Sequence, residues 1–164
     1  MFDKFGEFDS FHEINKAAEG LKEEGDIESL KELAKENGID PEDVNDYVAG
    51  KMAYLATDLT AAVGKLEVEK ADYKHDFIFI DWFNYIMTCV TDPKNERIRT
   101  AVRLKGKSIK GCYGYILKWS AKNMLPVDSE IKKAAGFNGT VKMGIPDMNT
   151  AKALIKEYYL GGRS

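Results

Sequence analysis

The residues best equipped for chemistry lie between Asp92 and Asn123. There Lys94, Arg97, Arg99, Arg103, Lys105, Lys107, Lys110, Lys118 and Lys122 are accompanied by one acid beyond Asp92, Glu96. A run so depleted in acids can neutralise a phosphate backbone or line an acidic protein groove. Arg99, Arg103 and Lys107 recur every four residues, so a helix that persists through Gly106 would set them on one face. The candidate basic set is therefore Arg97, Arg99, Arg103, Lys105, Lys107 and Lys110. The competing reading is a solvated helix whose cations gather near its carboxyl end, where the macrodipole favours them.

Within this run, AVRLKGKS over 101–108 fits the loosest form of a phosphate-binding loop. A working loop needs a strand ahead of it, so that backbone amides and the lysine converge on phosphate at the start of the helix. Here NERIRTAVR reads as a charged helix, Ala101 stands where glycine is needed, and no apolar strand ends in an Asp that would hold magnesium. His75 and Asp76 are an adjacent pair with no nucleophile at a useful spacing, and no Ser/His/Asp or Cys/His set stands out. His12 and His75 lack the spacing of metal ligands, and Cys89 and Cys112 read as buried reduced thiols on helices. Neither an enzyme, a cofactor nor a metal centre is expected.

The opposite charge dominates the amino-terminal third. Residues 1–50 carry 5 Lys and 15 Asp plus Glu, a net of −10, whereas residues 51–164 carry 19 basic and 12 acidic residues, a net of +7. Such a separation serves partner binding by complementary fields, or docking of the two parts on each other. LKELAKENGIDPEDVNDYVAG has the spacing of a helix-turn-helix, but its second helix presents Glu42, Asp43, Asn45 and Asp46, which phosphates repel. The alternative is an acidic face, Glu36, Glu42, Asp43 and Asp46, aimed at a basic groove that normally holds nucleic acid.

The elements that must position these groups are helical. Ser10 to Glu13 is a capping box ahead of Ile14, Ala17, Ala18 and Leu21; Asp26 caps a second helix, and Asp40-Pro41 starts a third. From Lys51 the pattern Met52, Leu55, Ala56, Leu59, Ala62 and Val63 predicts a fourth, ending near Gly64 or running on through Leu66. The aromatic centre over 72–90 predicts a buried core helix capped around Asp76, with 77–80 as a candidate short strand. Asp92-Pro93 predicts the start of the basic helix and Ser108 a cap for its successor. Asp128 or Ser129 opens a short helix closed by Gly136, a short strand is expected around 141–143, and Asn149 or Thr150 opens the last helix. The expected fold class is mostly α: one compact domain of about seven to nine helices with little or no strand. Residues 1–50 are expected to form an acidic helical subdomain, and 51–164 a helical core bearing the basic hairpin.

A hydrophobic content of 44% with 31% charged residues fits a globular chain rather than a disordered one. No apolar run approaches the length of a membrane span, and MFDKFGEFD lacks the pattern of a signal peptide, so the chain is expected in the cytosol.

The ordered combination of LAKENGIDPEDVNDYV, LTAAVGKLEVE, TAVRLKGKSIKGCYGYILKWSAKN, VKMGIPD and AKALIKEYYLGG resembles a family of small mobile-element proteins of gut-dwelling Firmicutes. These are the PcfK-like, type II anti-CRISPR inhibitors of the RNA-guided effector nuclease, and the resemblance covers the chain from about residue 26. It implies a non-enzymatic protein that binds a type II CRISPR effector nuclease, with DNA or guide RNA as a further contact, and blocks cleavage. The alternatives are a mobile-element accessory protein that binds nucleic acid through the basic hairpin, and a protein adaptor that docks through its acidic helices.

Overall fold

The computed structural model describes residues 3–74 and 76–161, and His75 lies outside them. Among the described residues, nine helices and one two-stranded sheet follow in the order α1 (Phe11–Glu23), α2 (Ile27–Glu36), α3 (Pro41–Val48), α4 (Asp58–Ala71), α5 (Ile78–Thr91), α6 (Glu96–Arg103), α7 (Ile109–Lys122), β1 (Leu125–Pro126), α8 (Ser129–Ala134), β2 (Lys142–Met143) and α9 (Met148–Leu160). The chain is thus a mostly α, single compact domain, as its periodicity predicts.

The first three helices start where short acceptors precede apolar periodicity. Ser10 Oγ accepts from the Glu13 amide, Asp26 from that of Ser29, and Asp40 from that of Glu42, one residue after Pro41. Their apolar faces, with Ile14, Leu30, Leu33, Val44 and Tyr47, close one core. A second core joins α4, α5, α6, α7 and α9 through Leu66, Phe83, Ile86, Val102, Ile116 and Ile155. The two cores do not separate at residue 50, because Leu55, Ala56 and Ala61 belong to the first. Helix α4 lies between them, with Ala61 facing one and Ala62 and Leu66 the other. At this junction Gly64 abuts Gly38 and the Asn37 carbonyl, so that a Cβ on either glycine would meet backbone at under 3.0 Å.

Several helix starts differ from those the spacing predicts, each for a local reason. Residues 51–57 are not helical, since the Asn15 amide both donates to the Ala56 carbonyl (2.8 Å) and accepts from the Ala56 N–H (2.9 Å). Helix α4 then begins at a reciprocal Thr57/Thr60 capping box and runs on to Ala71. Asp92 closes α5 instead of opening α6, since a residue before proline is pushed out of the helical region and Asp92 is extended at ψ 118°. Its carboxylate accepts from the Lys94 amide and from the Asn95 side chain, and α6 starts only at Glu96. At the head of α5 no side chain caps; Phe77 takes φ 52°, and 77–80 is a helix start rather than a strand. Asp147, not Asn149 or Thr150, caps α9.

From Met124 to Ile145 the chain leaves the body as an arm. β1 and β2 pair antiparallel, with Leu125 opposite Met143, and α8 between them has no buried residue. The arm is seated on the end of α7, where a Cβ on Gly144 would collide with the Ser120 carbonyl.

Candidate partner-binding surfaces

The six predicted basic residues are dispersed. Helix α6 ends at Arg103, and Gly106 at φ +79° reverses the chain, so Arg99, Arg103 and Lys107 do not share an exposed helical face. Arg99 is 9% exposed and its Nε donates to Asp58 Oδ2 (2.6 Å) and its Nη1 to the Asp92 carbonyl (2.9 Å). Arg103, 2% exposed, donates to the Phe8 carbonyl (2.9 Å), Asn37 Oδ1 (3.2 Å) and the Ala61 carbonyl (3.4 Å). These two arginines face inward because α6 packs along α4, whose Asp58 carboxylate and Ala61 carbonyl are among their acceptors. The periodicity that suggested a phosphate-tracking row is the periodicity of a buried polar seam.

Arg97, Lys105 and Lys107 do come together, along a groove of about 950 Å³ beside the end of α9 that Thr100, Asp9 and Glu96 also line. Lys107 donates to the Tyr158 carbonyl in the last turn of α9, which compensates the negative end of that helix. Lys105 and Asp9 are linked by a backbone amide-to-carboxylate bond of 2.6 Å. Lys110 is exposed and lines a different groove.

The loop resembling a phosphate site is already satisfied from within. The Ser108 N–H donates to the Tyr158 hydroxyl (3.0 Å), and the Ile109 N–H to Glu69 Oε2 (2.6 Å). A carboxylate of the chain therefore occupies the amino end of α7, where a phosphate would bind. Glu69 belongs to a buried ionic cluster outside the predicted site residues: fully buried Lys65 pairs with Glu7, approaches Glu69 Oε1 at 3.9 Å and donates to the Leu104 carbonyl at 3.2 Å. Burial pushes Lys65 and Arg103 below their ordinary values and Glu69 above its own, while the opposite charges nearby oppose each shift. The available signal was the position of Lys65 and Glu69, one helical turn apart among the apolar residues of α4. Cys89 and Cys112 are buried free thiols, and burial pushes Cys112 up to about 12.

The acidic set is divided as well. Glu36 is held by the amino-terminal segment, accepting from the amides of Lys4 (2.7 Å) and Phe5 (3.2 Å). Glu42, Asp43 and Asp46 share one face of α3 by their spacing, with Glu42 exposed and the other two half-buried. Asp46 pairs with exposed Lys51 at 2.8 Å. Glu23, Glu24, Glu28, Glu32 and Asp40, on or beside α1, α2 and the start of α3, are exposed as well.

The aromatic centre is not wholly core. Trp82, Phe83 and Ile86 are buried, but Phe77 is 92% exposed, and Phe79 and Ile80 are also exposed. Phe79, Trp82 and Tyr113 pack ring against ring at 5.0–5.8 Å between centroids, and the Tyr113 hydroxyl donates to the Phe79 carbonyl (3.0 Å). Together with α7 and the base of the arm they form an apolar groove of about 540 Å³. Among the described residues no helix is long and apolar enough to cross a membrane. Comparison of the chain with protein-family models, with curated proteins and with solved structures finds no match.

Proposed function

We propose that this chain is a non-enzymatic inhibitor that binds the RNA-guided effector nuclease of a type II CRISPR system, presenting the acidic face of α3 to a channel the nuclease reserves for nucleic acid. Such enzymes hold the guide–target heteroduplex in positively charged channels and read a short duplex motif with arginines. The observation that carries the reading is the grouping of Glu42, Asp43 and Asp46 on one face of α3, within an amino-terminal region of net charge −10. The resemblance of the sequence to the anti-CRISPR inhibitors supplies the partner, and implies a protein of the bacterial cytoplasm.

An accessory nucleic-acid-binding role is the second reading, supported by the meeting of Arg97, Lys105 and Lys107 in one groove. It is the weaker of the two, because Arg99 and Arg103 are committed to internal acceptors.

Reversing Glu42, Asp43 and Asp46 to lysine together is expected to weaken binding to guide-loaded effector by at least about tenfold, and to flatten its dependence on salt. Folding should be only modestly affected: Glu42 is exposed, Asp43 and Asp46 are half-buried, the solvated Asp46–Lys51 pair contributes little, and removing Glu42 and Asp43 from the first turn of α3 forfeits a small favourable interaction with its macrodipole. Affinity measured at two ionic strengths, with thermal unfolding as the control, decides it. Unchanged affinity at both would remove the acidic face from the interface.

A further inference from the structure

The apolar groove between α5 and α7 is a surface that the acidic-face reading does not use. Its walls are Ile78, Phe79 and Trp82 on one side and Tyr113 and Leu117 on the other, with Ile145 of the arm at one end. Leu117 and Ile145 are 68% and 67% exposed, a large apolar surface to leave in water. The volume of about 540 Å³ is within the range of built ligand sites. Such a wall suits side chains of a protein partner better than a phosphate backbone, whose sites are polar and strongly basic.

Charge narrows the occupant. Among the described residues, the ionisable groups that line the groove besides Tyr73 and Tyr113 are the cations Lys74 and Lys110. Helix α7 contains no acid, and its outer face continues the pattern as Lys110, Gly114, Lys118 and Lys122 at spacings of four, with Leu117 three residues after Gly114. The nearby acids Asp72, Asp76 and Asp81 do not line the groove. Gly114 supplies the width: a Cβ there would meet nothing within 4 Å. Trp82 adds a buried indole N–H without a hydrogen-bond acceptor among the described residues.

We infer that this groove binds an acidic amphipathic helix of a partner protein, its apolar face against Phe79, Trp82 and Leu117 and its carboxylates against Lys74, Lys110 and Lys118. This is the helix-in-groove mode, in which apolar anchors give affinity and flanking charges give orientation. The inference stands apart from the nuclease reading, which concerns α3, and the two fail independently.

The test uses the full chain and two designed amphipathic peptides of about twenty residues, long enough to lie along α7. They share leucines at helical spacing; one carries glutamates and the other lysines on the polar face. Binding is followed by peptide anisotropy and by tryptophan emission, to which Trp82 contributes. The glutamate peptide should bind and the lysine peptide should bind at least about tenfold more weakly. Gly114→Phe, which fills the groove, should abolish binding, while Gly114→Ala leaves it within about twofold. Lys110→Glu, a surface change that leaves the packing intact, should weaken the glutamate peptide by about fivefold or more. Equal binding of the two peptides, no binding of either, or indifference to both Gly114→Phe and Lys110→Glu would overturn the inference. Displacement of the peptide by a single-stranded oligonucleotide would assign the groove to nucleic acid, and a dimer abolished by Gly114→Phe would assign it to a second copy; either overturns it.

Discussion

Arg103→Met is expected to destabilise the fold by about 3–5 kcal/mol, the cost of leaving several buried acceptors without a donor. The methionine is long and apolar enough to fill much of the space, so the loss comes from the acceptors. Three lose their donor at once: the Phe8 carbonyl, the Asn37 side chain and the Ala61 carbonyl. These acceptors lie on the amino-terminal segment, the turn after α2 and helix α4, so one guanidinium ties three parts of the chain. Arg97→Met, at an exposed position of the same helix, should change stability by less than about 0.5 kcal/mol. Urea unfolding of the two variants measures the contrast. Equal stability, coupled with weaker retention on nucleic acid for Arg103→Met, would instead mean that Arg103 serves an external phosphate.

Gly64→Ala should be the second large effect, a loss of about 3 kcal/mol or more. Helix propensity alone predicts the opposite sign, since alanine in a helix interior is favoured over glycine by about 1 kcal/mol. The structure reverses it, because the added methyl would meet the Asn37 carbonyl and the Gly38 backbone, neither of which can swing aside as a side chain can. Gly38 itself holds φ +65°, so the turn that would have to yield is already specialised. The two cores meet at this contact, and separating them by even part of an ångström loosens Ala61 from one and Ala62 from the other. A lowered midpoint in thermal unfolding is the expected result. A raised midpoint would show that helix propensity dominates and that the helices part without cost.

Element type was legible in the sequence wherever caps and periodicity agreed. Ser10, Asp26, Asp40, Ser108 and Asp128 cap helices as their positions predict, and Gly38, Gly106 and Gly136 take the positive φ of chain reversals. Boundaries failed where a distant residue or a proline outweighed periodicity: Asn15 holds Ala56 in a loop from 41 positions away, and Pro93 forces Asp92 to end a helix rather than start one. The basic set illustrates the harder limit. Spacing showed that Arg99 and Arg103 share a face, but not whether that face meets solvent, because its acceptors Asp58, Phe8, Asn37 and Ala61 are remote in sequence. The groove at Phe79 and Trp82 was hidden for the converse reason. An aromatic-rich helix reads as core, and only tertiary packing shows which rings α7 leaves uncovered.

The measurement closest to the central claim is DNA cleavage by a guide-loaded type II effector, titrated with the wild-type chain and with the variant carrying lysine at 42, 43 and 46. A gel shift on the same DNA without effector runs alongside. The wild type should suppress cleavage in proportion to dose at concentrations that leave the DNA unshifted, and the variant should fail to suppress it. Full cleavage accompanied by a clear shift of the DNA would contradict the inhibitor reading and assign the chain to nucleic-acid binding.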